Sequence, residues 1–306
     1  MHQETPGNRP IILGEVLFDQ FPSGESILGG APFNVAWHLQ GFGASPLFIS
    51  RIGEDHTGAK VHRAMQDWGM DCSALQRDAN YPTGAVQVSL NNGEPSFQIL
   101  PDQAYDYIDA EAAARSAQGT IIHNGGLLYH GTLILRTGRG VLEQLLANTT
   151  LPVFVDVNLR DPWWNASDHL PSILARARWL KVNDAELTIL ANHPDQQGNS
   201  LEETARRIRS AYDVELLIVT RGASGAVAFH ESGETVSIAP EKREDGADGE
   251  IVDTVGAGDA FSAMVMLGLL RGWSLPTIMK KAQAFASRVC RLRGAISLEP
   301  GFYDMD

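Results

Sequence analysis

Short apolar runs alternate with helical stretches along almost the whole chain, and this rhythm restricts the fold more than any other feature. Residues 10–18 read PIILGEVLF, an apolar run fit for a buried strand. Gly29-Gly30-Ala31-Pro32 then introduces a helix over residues 33–40, SPLFISRIG returns to strand, and residues 56–68 read as a helix closed by Gly69. Further strands are predicted at 119–123, 152–157, 178–182 and 214–220. Helices are predicted at 139–147, 184–192 and 201–212, with two long closing helices at about 257–271 and 275–292. Buried strands joined by crossover helices pair in parallel, so the pattern predicts an α/β fold.

One stretch has a different texture. Residues 83–90 (TGAVQVSL) alternate, Asn91-Asn92-Gly93 supply a turn, and residues 95–100 alternate again. That is a β-hairpin signal inside an α/β chain, and it predicts a small sheet standing apart from the main one. A second hairpin is predicted from 226–230 and 235–239 around Ser232-Gly233, and the charged stretch 242–249 reads as a surface loop. No internal repeat and no composition break marks a linker. The expectation is a loose polar tail over residues 1–10 and a single domain over 11–306, with lid strands from about 16–28 and 83–104.

The chain carries 24 Lys and Arg against 37 Asp and Glu, a net charge of -13. Phosphate backbones are held by Lys and Arg, so this balance argues against a broad nucleic-acid surface. It leaves room for a phosphorylated small molecule held by local backbone amides and one Arg. Cys72 and Cys290 lack Cys-x-x-Cys spacing, which argues against a zinc site or a disulfide framework and for two reduced, buried thiols. No signal pattern and no uninterrupted apolar run of about 20 residues is present, so a cytoplasmic protein without a membrane span is expected.

The most informative stretch for chemistry is Asp253-Thr254-Val255-Gly256-Ala257-Gly258-Asp259, set just before an apolar helix. Two glycines let the backbone turn sharply and let a ligand approach. Amides at a helix start point outward and favour anions. Asp259 falls in the first turn of the same helix. A carboxylate there is commonly only a partner for the helix dipole. Beside an anion site it also suits phosphoryl transfer: the amides hold the moving group and the carboxylate accepts the attacking hydroxyl's proton. Competing motifs fail on spacing. Phe261 stands where a dinucleotide fingerprint needs a third glycine, and no G-x-x-x-x-G-K-[ST] loop occurs. Ala226 breaks the nucleophile-elbow pattern around Ser224.

DTVGAGDAFSA resembles the C-terminal signature of the ribokinase-like (PfkB-type) carbohydrate kinases. GGAPFNVAWHLQGFGASPLFISRIGEDHTG, residues 29–58, resembles the N-terminal signature of that family. GEVLFDQFP, GEPSFQILPDQAYDYI and DVNLRDPWW are most similar to bacterial fructokinases. The resemblance implies a three-layer sandwich with a mostly parallel central sheet and a small β-sheet lid. It implies transfer of the ATP γ-phosphoryl group to a primary hydroxyl of a small carbohydrate, fructose first. A 2-keto-3-deoxygluconate-type sugar-acid kinase, a nucleoside kinase and a non-catalytic sugar- or nucleotide-binding regulator stand as alternatives. ATP and Mg2+ are implied, with K+ as a further cation and a homodimer through the lid as a further partner.

Roles carry over by position. Asp259 matches the general base, and Gly256, Ala257 and Gly258 match the anion hole. Asp19, Gly29, Gly30, Asn34 and Arg160 match sugar-binding positions. Asn183, Glu186, Thr220, Gly222, Gly225 and Gln283 match nucleotide-side positions, with Glu186 reaching magnesium through water. Asp253, Val255 and Gly294 resemble a monovalent-cation site. Plainer readings stand beside these: Asn183 and Glu186 as a helix capping pair, Arg160 in a salt bridge to Asp156 or Asp161, and Gly29-Gly30 as a helix-entry turn. The sequence departs from the family at Arg221, at Gln283 in place of a common Asn, and at Met264 in place of a small residue.

Overall fold

The computed structural model describes residues 9–91, 94–122, 125–137, 139–160, 163, 170–191, 200–240 and 251–305. The strands are β1 (Ile11–Leu13), β2 (Leu17–Gln20), β3 (Ser26–Gly29), β4 (Leu47–Gly53), β5 (Leu75–Asp78), β6 (Gly84–Asn91), β7 (Glu94–Ile99), β8 (Leu128–His130), β9 (Val153–Asp156), β10 (Trp179–Asn183), β11 (Leu216–Thr220), β12 (Ala226–His230) and β13 (Thr235–Ile238). The helices are α1 (Ala31–Gly41), α2 (His56–Asp67), α3 (Ala110–Ile122), α4 (Arg139–Ala147), α5 (Leu170–Leu174), α6 (Asp184–Leu190), α7 (Leu201–Ala211), α8 (Ala257–Leu270) and α9 (Leu275–Val289).

Among the described residues, nine strands form one sheet in the order β13-β12-β11-β10-β9-β8-β1-β4-β5, and four form a second sheet in the order β3-β2-β6-β7. Every neighbouring pair from β11 to β5 is parallel, while β12 and β13 add an antiparallel edge. Period-two alternation sends apolar side chains to both faces of the large sheet. Ile12, Phe48, Tyr129 and Phe154 pack with Phe33 and Trp37 of α1, Phe261 and Val265 of α8, and Phe285 of α9. Their strand neighbours Ile11, Leu13, Ile49, Leu128 and Val155 pack on the opposite face with Ala113 and Ala117 of α3, Leu142 and Leu145 of α4, and Ile208 of α7. Sheets buried on both faces read as continuous apolar runs, which is why β4, β9, β10 and β11 were legible. Each such side chain contributes roughly 1.5–3 kcal/mol by leaving water. α8 is buried from Ala260 to Gly268, and Met264 fills part of that contact.

Residues 10–18 do not run as one strand. The chain leaves the large sheet after Leu13 and enters the small sheet at Leu17. Gly14 makes the change of direction possible: its φ is 151°, and a Cβ there would sit 2.4 Å from Cγ of Pro32. Glu15 and Val16 form the seam between the sheets. A second difference is the strand predicted at 119–123. Residues 119–122 close α3, because the alanine-rich run before them carries the helix through, with Ala113 and Ala117 buried one turn apart. Position 123 lies outside the described residues. The strand of that region is β8, only three residues long.

Arg9 is tied down, its guanidinium meeting Asp71 at 2.6 Å and the Ser45 carbonyl at 2.8 Å. Residues 1–8 and the predicted loop at 242–249 lie outside the described residues. Cys72 and Cys290 are free but half-buried rather than buried. No helix among the described residues is long and apolar enough to cross a membrane.

Candidate active site

A cavity of about 650 Å3 opens between the small sheet and the C-terminal ends of β9, β10 and β11. Open parallel sheets bind ligands at that end. β2, β6 and β7 contribute an apolar wall of Leu17, Val86, Phe97 and Ile99, and Leu133 extends it. Phe97 is half exposed at the rim.

Asp19, Gly30, Asn34, Arg160, Gly256, Gly258 and Asp259 all line this cavity. Asn34 Nδ2 donates to Asp259 Oδ2 at 2.8 Å. Asn34 Oδ1 is buried and has no partner among the described residues. It lies 3.7 Å from the Cβ position of Gly29, with Asp19 Oδ2 3.9 Å from the same point. Gly29 therefore tolerates the space of a Cβ, whereas Gly30 does not. Gly30 has φ 110°, and a Cβ there would lie 2.8 Å from the Glu15 carbonyl oxygen. It is fixed by the close approach of its own backbone to the seam, and it also starts α1.

Burial pushes the Asp259 carboxyl up to about 6, against donation from Asn34; Asp156 pushes it further up, while Lys181 and Arg160 pull it down. Asp19 is also pushed up to about 6 by burial, with Asp253 adding to the push and Arg160 opposing it. Glu15, which the sequence reading passed over, is buried in the same wall and pushed up to about 7. Arg160 is exposed at the cavity edge, and among the described residues its guanidinium donates to its own neighbour's carbonyl, Leu159, at 3.2 Å. It forms no salt bridge to Asp156, whose carboxylate is occupied elsewhere, and Asp161 lies outside the described residues.

α8 starts at Gly256, whose φ of 79° closes the turn and brings it against Ala295. The Ala257 amide turns back to the Thr254 carbonyl at 3.3 Å, a departure from its expected part in the anion hole. The first intrahelical bond is donated by Ala260 to Gly256 at 2.8 Å, so the amides of Gly258 and Asp259 have no acceptor in their own helix. Asn183 and Glu186 form the reciprocal capping pair, with Glu186 N to Asn183 Oδ1 at 2.7 Å and Asn183 N to Glu186 Oε2 at 2.8 Å. Glu186 Oε1 also accepts from Leu159 N at 2.9 Å, and both residues line the cavity. Asn158 adopts φ 41°, a conformation Asn tolerates better than most residues.

A second cavity of about 500 Å3 joins the first at Thr220, Thr254 and Gly258. Gly222, Gly225 and Gln283 line it beside apolar Pro240, Phe261 and Ala286. Gln283 Nε2 reaches Ser287 Oγ at 3.3 Å. Asp253 is set apart: its carboxylate accepts from Val255 N at 3.0 Å and Gly294 N at 3.3 Å.

The sequence reading also missed Asp156, Lys181 and Ser262. Lys181 Nζ and Ser262 Oγ both donate to Asp156 Oδ2, at 2.7 and 2.8 Å, beneath the start of α8. A lone charge inside WLKVN and another closing VFVD were the available signals.

A carboxylate able to take a proton, free helix-start amides and two joined cavities suit transfer of an anionic group to a hydroxyl. The model of the pfkB family carbohydrate kinases matches residues 13–300. The chain is 27% identical to an Escherichia coli fructokinase over 273 residues, covering 84% of this chain and 83% of that protein. It is 27% identical to the aminoimidazole riboside kinase of Salmonella typhimurium over 314 residues, covering 96% and 92%. Its fold is similar to that of an Arabidopsis thaliana ribokinase complexed with ribose and ATP, with a TM-score of 0.77, 19% identity and 97% of each chain covered. The site and the match over nearly the full length lead to one conclusion: the chain belongs to the pfkB family of carbohydrate kinases.

Proposed function

We propose that this kinase transfers the γ-phosphoryl group of ATP to a primary hydroxyl of a small sugar, with fructose as the first candidate. Asn34 carries the reading. One end of its amide holds Asp259, and the other is a buried acceptor without a partner among the described residues, beside Asp19. One sugar hydroxyl donating to Asn34 Oδ1 and a second donating to Asp19 would place a third next to Asp259, which near neutral pH is ionised and takes that third hydroxyl's proton. The amides of Gly258 and Asp259 then hold the transferring group, and the apolar lid wall keeps water out.

The second cavity fits a purine: it is apolar, and it meets the first at Thr220 and Gly258, where the phosphates would pass. Glu186 already accepts two backbone N–H groups, so it would reach Mg2+ through water. When bound, that ion offsets the charge of the phosphates. We place a monovalent cation such as K+ beside Asp253 and the backbone oxygens near Val255 and Gly294, residues whose own N–H groups hold that carboxylate close to them; dependence of the rate on potassium salts tests it. We place the enzyme in the cytoplasm. A homodimer through the edges of the small sheet, β3 and β7, is tested by its mass in solution.

Fructose ranks first on the lid and Asn-x-Arg segments. A 2-keto-3-deoxy sugar acid ranks second, and Arg160 at the cavity edge is consistent with either substrate. The test is ADP release from the purified protein with fructose, aminoimidazole riboside, ribose and sugar acids in turn. Fructose should accelerate ADP release most. A protein that binds ATP yet whose turnover no sugar accelerates is a regulator, and the proposal fails.

A further inference from the structure

The established chemistry of such a site leaves Asp156, Lys181 and Ser262 without a part. All three are buried, at 2%, 6% and 0% exposure. Their placement follows from strand geometry. Successive strand residues face opposite ways, so Asp156 shares a face with Phe154, and Lys181 shares one with Trp179. That is the face covered by α8. β9 and β10 pair in parallel with Lys181 directly opposite Asp156, so the ammonium and the carboxylate meet at the strand ends. Ser262 sits three residues after Asp259, one helical turn along. Its hydroxyl donates to the oxygen that also accepts from Lys181.

We propose that Asp156 is a positioning residue for phosphoryl transfer, clamping the first turns of α8 to the ends of β9 and β10 through Ser262 and Lys181. The rest of α8 facing the core is apolar, from Ala260 to Leu267 with Ser262 as the exception. Apolar contact is non-directional and fixes the register of a helix less sharply than a hydrogen bond does. A hydrogen bond to a fixed carboxylate sharpens it. Misplacement of reacting groups by about 1 Å can lower a rate about 10²-fold, so the register of Asp259 and its neighbouring amides matters. Lys181 adds a second constraint from below the turn, its Nζ lying 3.5 Å from the Cβ position of Gly258. A buried ion pair is a weak source of stability compared with apolar packing, so stability alone does not account for it.

This inference rests on Asp259 as the base. The groups whose charges bear on Asp259 are Asp156 from β9, Lys181 from β10 and Arg160 after β9, with Asn34 donating from α1; Glu15 from the seam and the Tyr129 hydroxyl from β8 feel the Asp259 charge in turn. Ser262→Ala removes the clamp and leaves every charge in place. Its kcat should fall about tenfold, the loss of one hydrogen bond to a charged acceptor. Both KM values should stay within about twofold, and the acid limb of the kcat profile should not move. Deuterium exchange in residues 254–262 of the ligand-free protein should quicken about threefold, as expected when a local contact is lost. Asp156→Asn, which also removes a negative charge, should slow turnover further and move the acid limb to lower pH. Wild-type kcat and exchange in Ser262→Ala overturn the clamp. An acid limb that shifts in Ser262→Ala overturns it as well, since the change is then electrostatic. If the wild-type protein phosphorylates no sugar, the functional reading fails, and the exchange measurement still decides the clamp.

Discussion

Asn34, near the start of α1, donates its side-chain amide to the Asp259 carboxylate at the start of α8, across 2.8 Å. Two helix starts from opposite ends of the chain thus converge on one carboxylate oxygen. Asp259→Asn removes the proton acceptor and keeps the shape. It should lower kcat at least about 10²-fold with ATP affinity nearly unchanged. Asn34→Ala should raise the sugar KM and move the acid limb of kcat upward, because a donor to the charged form is lost. Steady-state kinetics on both variants checks this; an Asp259→Asn enzyme near wild-type turnover would end the base assignment.

The pH profile of turnover carries the same information. Burial holds Asp259 at about 6 and Glu15 at about 7. The proposed base works in its ionised form, so kcat should fall as pH drops through about 6. Asp19 is also held at about 6, but the charges that act on it are Asp253 and Arg160, so it titrates apart from the base. As pH falls Glu15 takes its proton before Asp259 does, so it is already neutral where the base titrates. Glu15→Gln should therefore leave the limb near pH 6, and a limb that clearly moves to lower pH would mean that Glu15 carries charge there.

How far the sequence revealed this site depended on whether a signal was local. The turn from Asp253 to Asp259 was visible because glycines, a carboxylate and an apolar helix follow one another. The long strands were visible because both faces are apolar. β8 was not, since three residues are too few to show a period. α3 was misread because its Ile-Ile end looks like strand, while the alanines that decide the matter lie upstream. Lys181 and Asp156 were missed for another reason. Each is a single charge in an apolar run, and its meaning appears only when two strands are in register and a helix covers them. Arg160's neighbours could be named, but its freedom from Asp156 depended on Lys181 taking that carboxylate.

Gly30→Ala should be costly for a reason independent of any ligand. The added Cβ meets the Glu15 carbonyl at 2.8 Å, and the backbone at φ 110° disfavours any side chain. Strain of this kind costs about 1–3 kcal/mol, so urea unfolding should show a loss of stability of that size. Gly29→Ala meets only ordinary contacts, at 3.7 Å or more, and should be far milder in stability. Equal losses at the two positions would contradict this account.

Phe97 projects from β7 into the cavity rim and is 50% exposed. An aromatic ring there can cover the apolar face of a sugar when the small sheet closes. Phe97→Ala should raise the sugar KM about tenfold and leave the ATP KM unchanged, an effect in the range of one lost aromatic contact. If both KM values move together, the ring acts on the fold of the lid and not on the acceptor.

His38 gives a prediction about stability. It is fully buried in α1, edge-on to Phe285 at 5.0 Å, with Nδ1 3.2 Å from the Tyr303 hydroxyl. Burial lowers it from 6.5 to about 3, and His130 is lowered in the same way to about 4. Folded His38 stays neutral while the unfolded chain takes up a proton below pH 6.5. Stability is therefore fully present above 6.5 and is lost as pH falls toward about 3, at up to about 1.4 kcal/mol per pH unit for each such histidine. The buried carboxyls oppose this. Glu15, Asp19 and Asp259 bind protons in the folded state before the unfolded chain does, so their effect on stability improves over the same range. The wild-type curve between pH 6.5 and 4.5 should consequently look flat. His38→Leu removes one term and keeps the other. Measured by urea unfolding at half-unit steps, it should gain on the wild type steadily as pH falls from 6.5, whatever its offset at pH 7.5. Parallel curves would show that His38 takes up a proton in the folded state and that the aromatic cluster accommodates the charge.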